Sequence, residues 1–202
     1  MFIVVEGPEG AGKTTLVRWL AARLLAEGRS VVTVREPGGT PVAEAARKIA
    51  LKSQHDLSPA VELFLILAAR ADLVARVIRP ELEGGRLVLA DRFDLSTRCY
   101  QVAGRGLPAG AVDAALQLAT GGLAPDLTLV LDVPVDVGRK EPDRLERLDD
   151  AFHRRVLEAY RRASGPGVVH IDATGTKAVV QDAAWREVSA AAALQLRVGG
   201  GS

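Results

Sequence analysis

From Gly7 to Thr14 the chain reads GPEGAGKT, which sets Gly7, Gly10, Gly12, Lys13 and Thr14 at the spacing G-x-x-x-x-G-K-[ST]. Glycines at these places let successive backbone N–H groups curl around phosphate oxygens without Cβ clashes. A helix beginning near Lys13 adds the positive end of its dipole. Lys13 then neutralises β and γ oxygens and the Thr14 hydroxyl binds Mg²⁺, with Ala11 and Thr15 completing the loop. The motif predicts a bound nucleoside triphosphate and leaves GTPase, ATPase and kinase chemistry open. A second group follows a strand-like run: Asp91, where it could hold magnesium waters, and Arg92, which could reach a phosphate. Glu9 is harder to place, because it puts a negative charge inside a loop built for anions.

Short β-branched runs supply the elements that must position these residues. Strands are expected at Phe2–Glu6, Val31–Val34, Leu87–Ala90, Leu127–Val133 and Val168–Asp172. Helices are expected at Lys13–Glu27, Pro41–Lys52, Ser58–Glu83, Pro108–Thr120, Asp149–Ala163 and Lys177–Leu196. Nearly continuous apolar strands alternating with helices predict an α/β fold with a parallel sheet covered on both faces. With 202 residues, one domain is expected, spanning 1–197, and the terminal GGGS (198–202) reads as a tail outside it.

A formal charge of +1 gives no general reason to expect nucleic-acid or membrane binding, so any basic site must be local. One cysteine, Cys99, excludes an intramolecular disulfide and a cysteine-rich zinc site. Nowhere do about 18 apolar residues run uninterrupted, and Met1 leads straight into a strand; these features predict a cytoplasmic protein.

Six stretches occur in the order found in bacterial thymidylate kinases, and the chain resembles that family from Phe2 to about Trp185. They are the phosphate loop with its internal acid, REPGGTP (Arg35–Pro41), LAAR ending at Arg70, DRFDLSTRCYQ (Asp91–Gln101), DRLE (Asp143–Glu146) and IDAT (Ile171–Thr174). PDLTLVLDVP (Pro125–Pro134) lies among them in the same order. The resemblance implies a P-loop fold of the nucleoside-monophosphate-kinase type, with a five-stranded parallel sheet and a short lid at about 138–149. It implies phosphoryl transfer from ATP to dTMP, with Mg²⁺, in a homodimer. Glu9 then becomes an acceptor for the deoxyribose 3′-hydroxyl, a charge-assisted contact.

The resemblance also implies roles for the remaining residues. Arg35 and Arg92 grip the acceptor phosphate, Arg70 reaches the thymine carbonyl, Thr97 lies near the pyrimidine edge and Gln101 supports it. Tyr100 crowds the 2′ position, Pro37 touches the base, and Asp172 and Ala173 lie in the adenine loop. Of the basic lid residues Arg139, Lys140, Arg144 and Arg147, Arg144 is the first catalytic candidate and Arg139 the second. Because the nucleophile is already an anionic phosphate, no strong base is needed, which demotes His55, His153 and His170 to structural or exposed positions. Two departures matter: many relatives stack Phe on thymine four residues before Arg70, where this chain has Ile66 and offers Phe64 two positions away, and VAGRG follows Gln101 in place of a more glycine-rich run. That leaves two alternatives open, a kinase for another nucleotide or nucleoside and a weakly active nucleotide-binding regulator.

Overall fold

The computed structural model describes residues 1–134, 144–145 and 148–199, with side chains described as far as 193. Five strands, β1 (Phe2–Glu6), β2 (Val31–Arg35), β3 (Leu87–Asp91), β4 (Leu127–Asp132) and β5 (Val168–Asp172), form one parallel sheet in the order β2-β3-β1-β4-β5. All five match the sequence expectation to within a residue at each end. The register pairs Val5 with Asp91 and Arg35 with Asp91, so the carboxyl ends of β1, β2 and β3 come out together. That edge is where the phosphate loop leaves β1.

The helices are α1 (Lys13–Ala26), α2 (Pro41–Lys52), α3 (Pro59–Leu73), α4 (Arg79–Glu83), α5 (Asp94–Thr97), α6 (Ala109–Thr120), α7 (Asp150–Arg161) and α8 (Lys177–Gly199). Three begin at caps readable in the sequence. Thr40 accepts from the Ala43 amide, Ser58 from Val61 and Asp149 from Phe152, and Pro41 and Pro59 open α2 and α3.

The strand residues alternate between two cores. Ile3, Val5, Leu87, Leu89, Leu129 and Leu131 pack against α1 and α8. Phe2, Val4, Val88 and Ala90 face Leu73, Ile78 and Phe93 on the other side. Val130 joins a third cluster with Ile66, Cys99, Leu145, Phe152 and Tyr160, which brings α3, α7 and the segment at residue 145 around one end of the cleft.

Two helical regions differ from the expectation. The single helix foreseen from Ser58 to Glu83 is α3, a π-helical stretch Val74–Ile78 and α4. Pro80 explains the break in register, since it has no N–H for the carbonyl four residues back and its ring crowds the preceding turn. The segment after β3 was not foreseen as helical, yet α5 runs into a second π-helical stretch, Arg98–Gly104. Its helical apolar spacing is short, Leu95, Cys99 and Val102 among polar residues. Its start is held from outside, by the buried Glu6 carboxylate, which accepts from the Phe93 amide at 2.8 Å and the Ser96 amide at 3.0 Å.

Candidate active site

At the phosphate end the backbone does most of the shaping. Gly7, Gly10 and Gly12 have φ of 138°, 76° and 88°. A Cβ on Gly7 would lie 2.9 Å from the Leu131 carbonyl oxygen, so β4 itself requires glycine there. Lys13 is buried and its Nζ donates to the Pro8 carbonyl at 2.6 Å. Withdrawal from water, with Arg92 nearby, pulls its ammonium down to about 7, a fall that Asp91, Glu9 and Glu6 only partly oppose. Phosphate oxygens entering the loop would restore the charged form.

Thr14 Oγ1 donates to Asp91 Oδ2 at 2.5 Å, so the two side chains expected at the metal lie side by side. Among the described residues no group of three or more His, Cys, Asp or Glu is gathered as for a metal cage. A hydroxyl and one carboxylate suit Mg²⁺, which takes hard oxygens and shares itself with substrate phosphates.

Arg92 is the non-glycine residue with positive φ among those described, at 76°, a conformation costing about 1–3 kcal/mol that the surroundings must impose. Its fork shows how. Nη1 donates to Gly7 O at 3.0 Å, Ser96 Oγ at 3.1 Å and Tyr160 OH at 2.9 Å. Nη2 reaches Glu9 Oε2 at 3.3 Å and Tyr100 OH at 3.4 Å. Ser96 Oγ and Tyr160 OH in turn meet Glu6 Oε2. Glu9 thus faces Arg92 across the loop.

The loop opens into a cavity of about 470 Å³ whose far end is lined by Ile66, Arg70, Thr97, Tyr100 and Gln101, with Arg35, Pro37 and Arg47 along one side. Arg70 is fully buried. Its Nε donates to Glu36 Oε2 at 2.6 Å, Nη1 to Thr97 Oγ1 at 2.9 Å and Nη2 to the Phe93 carbonyl at 2.8 Å. Burial pushes the Glu36 carboxyl up to about 7 in spite of Arg70, and its Oε1 has no partner among the described residues. Arg35, by contrast, is half exposed and donates to Glu44 Oε1 at 2.9 Å. Of the two apolar α3 side chains in question, Ile66, 8% exposed, lines the cleft beside Arg70, whereas Phe64 is 64% exposed and does not line it.

Other foreseen residues lie apart from the cleft. Asp172 closes a turn, accepting from the Thr174 amide and hydroxyl at 2.9 and 2.7 Å, and the Ala173 amide is committed to Asp132 O. Arg144 is bound to Glu62 and to the Ala50 carbonyl and does not line the cleft. Arg139, Lys140 and Arg147 lie outside the described residues. Of the histidines none lines the cleft; His170 bridges Asp132 and the Ala163 carbonyl.

A family model described as Thymidylate kinase matches residues 5–184. The chain belongs to the thymidylate kinase family. It is 48% identical over 191 residues to a thymidylate kinase of Pseudomonas fluorescens, covering 90% of this chain and 91% of that protein. It is 48% identical over 198 residues to one from Thermomicrobium roseum, covering 93% and 94%. A thymidylate kinase of Deinococcus radiodurans is 42% identical over 198 residues, covering 94% and 96%. In this chain Glu9 and Lys13 of the phosphate loop line the same cleft as Ile66, Arg70, Thr97 and Gln101. Residue types alone missed the buried Glu6, Glu36 and Glu62 and the pocket-lining Arg47. Of these only Arg47, one helical turn after Glu44 in α2, had a usable signal.

Proposed function

We propose that the chain transfers the γ-phosphoryl group of ATP to the 5′-phosphate of dTMP, releasing dTDP and ADP for dTTP synthesis. The observation that carries this reading is the opening of the phosphate loop and the Arg70–Thr97–Gln101 pocket into one cleft. A hydrolase acting on water needs no such second pocket.

The acceptor phosphate has a second pKa of about 6, so its oxygen is already anionic and no side chain need take its proton. The work left is alignment and charge stabilisation. Lys13 serves the β and γ oxygens, and Arg92, fixed by Gly7, Ser96 and Tyr160, meets the acceptor phosphate, assisted by the exposed Arg35. Thr14 and Asp91 are the residues that would hold Mg²⁺, whose chemistry would be to neutralise charge on phosphate oxygens. Glu9 accepts the 3′-hydroxyl, Arg70 donates to the thymine carbonyl, and Tyr100 crowds the 2′ position. Asp172 and Ala173 border the adenine end. Arg139 is the lid arginine assigned to the transferring group.

An apolar strip on α3, Val61 and Phe64 one turn apart and both exposed, supports a homodimer. Sedimentation of wild type against Phe64→Glu tests it; a wild-type monomer contradicts it. ATP as co-substrate and a lone, buried Cys99 support a cytoplasmic setting. Among the described residues no helix is long and apolar enough to cross a membrane. Phosphorus NMR of ATP, Mg²⁺ and dTMP with the enzyme tests the reaction itself. One ADP and one dTDP should appear together; inorganic phosphate in place of dTDP would overturn the reading.

A further inference from the structure

Glu62 is fully buried in α3, one turn before Ile66, and takes no part in the phosphate chemistry. Its Oε1 accepts from Gln101 Nε2 at 2.9 Å and from Arg105 Nε at 3.3 Å. Its Oε2 accepts from Arg105 Nη2 at 2.6 Å and from Arg144 Nη2. Arg144 is fixed further by its Nε to the Ala50 carbonyl at 2.9 Å and its amide to Leu51 O at 3.0 Å. Next to it, Leu145 is buried and lines the cleft with Gln101, Ile66 and Thr97.

A primary amide has a donor end and an acceptor end, and what it meets decides which way it points. A carboxylate carrying guanidinium donors from two arginines offers Gln101 only acceptor capacity, so Gln101 must present Nε2 to it. That leaves Oε1 of Gln101, a residue on the wall of the cleft, with no partner among the described residues.

We propose that Glu62 is a specificity-determining positioning residue: by holding Gln101 Nε2 it turns Gln101 Oε1 toward the cleft, as an acceptor for the N3–H of the acceptor base. Thymine and uracil carry that hydrogen, whereas N3 of cytosine is itself an acceptor and would face Oε1 lone pair to lone pair. Arg105 and Arg144 act through Glu62, which gives Arg144 a role in base selection in place of one on the transferring phosphate. The proposal rests on a pyrimidine monophosphate as the acceptor.

The experiment is titration of dTMP and of dCMP, without ATP, into wild type, Glu62→Gln and Glu62→Gln/Gln101→Leu, with ATP affinity measured beside them. In Glu62→Gln the partner of Gln101 can itself donate or accept, so the amide is free to reverse. The dTMP over dCMP affinity ratio should fall roughly tenfold, chiefly through weaker dTMP binding, with ATP affinity within about twofold of wild type. Adding Gln101→Leu should narrow the ratio no further, since the two residues act as one unit. Equal losses for both pyrimidines would mean that Glu62 only supports the fold of the pocket and would overturn the proposal. So would an additional narrowing in the double variant. Should Glu62→Gln not fold, Glu62→Gln/Arg144→Met keeps the cluster's net charge as in wild type, and the same ratio decides. Wild type that binds neither nucleotide overturns the functional reading itself, before any variant is compared.

Discussion

The two ends of the cleft are built in different ways. The phosphate end is a contiguous loop whose glycines and helix start shape the backbone, with Lys13 and Thr14 carried on the same eight residues. The base end is assembled from side chains far apart in sequence: Arg70 on Glu36, Thr97 and Phe93, and Gln101 on Glu62 with Arg105 and Arg144. Phosphates are alike in every nucleotide, and a loop of N–H groups serves them all. A base is told from another by the direction of a few donors and acceptors, and buried ion pairs are what fix direction. The phosphate end should therefore fail in rate when altered, and the base end in stability and selection.

The largest effect expected is at the base end. At pH 8 or above, where the Glu36 carboxyl is mostly ionised, Glu36→Ala leaves the Arg70 guanidinium buried without its counter-charge and should lower unfolding free energy by about 3–5 kcal/mol in denaturant titration. Glu44→Ala removes the partner of the exposed Arg35 and should cost no more than about 1 kcal/mol. Equal losses at the two sites would erase the contrast. Next comes the phosphate end, where Lys13→Ala should reduce kcat by roughly 10²–10³-fold with the fold retained by circular dichroism.

Lys13 gives a second, sharper reading of that end. Its folded-state pKa, about 7, lies below the ordinary 10.5, so between those values the folded chain binds fewer protons than the unfolded one. Stability therefore rises with pH across that window and falls as pH drops toward 7. ATP binding reverses the shift, so near pH 8 it should take up a fraction of a proton approaching one, seen by calorimetry in buffers of different ionisation heat. Lys13→Met should abolish the uptake; a heat independent of buffer in wild type would contradict it.

These contrasts also mark what the amino-acid sequence made legible. All five strands and the phosphate loop could be read from short-range patterns, because β-branched runs and glycine spacing act locally. Asp91 and Arg92 followed from the strand end. The helical turn Asp94–Gly104 could not, because it starts on a carboxylate 88 positions earlier, Glu6. Glu36 and Glu62 were illegible for the same reason: their meaning lies in partners from other elements. Arg144 stood out as a lid arginine by position, and only its contacts with Glu62 and Ala50 showed where it is held.

The smallest effect concerns the absent aromatic ring. Ile66 faces the cleft, so Ile66→Phe should tighten dTMP binding by about 1 kcal/mol where the pocket accepts the ring without overpacking. Phe64 does not line the cleft, so Phe64→Ala should leave dTMP affinity unchanged. A loss with Phe64→Ala would place the wrong face of α3 against the base.

The division of labour between the two ends is tested most directly by the rate of ADP formation from ATP with dTMP, dUMP, dCMP, UMP and no acceptor. The account predicts dTMP first and dUMP behind it, dCMP and UMP far lower, and almost nothing without an acceptor. ADP formation that ignores the acceptor, or that favours dCMP, would contradict it.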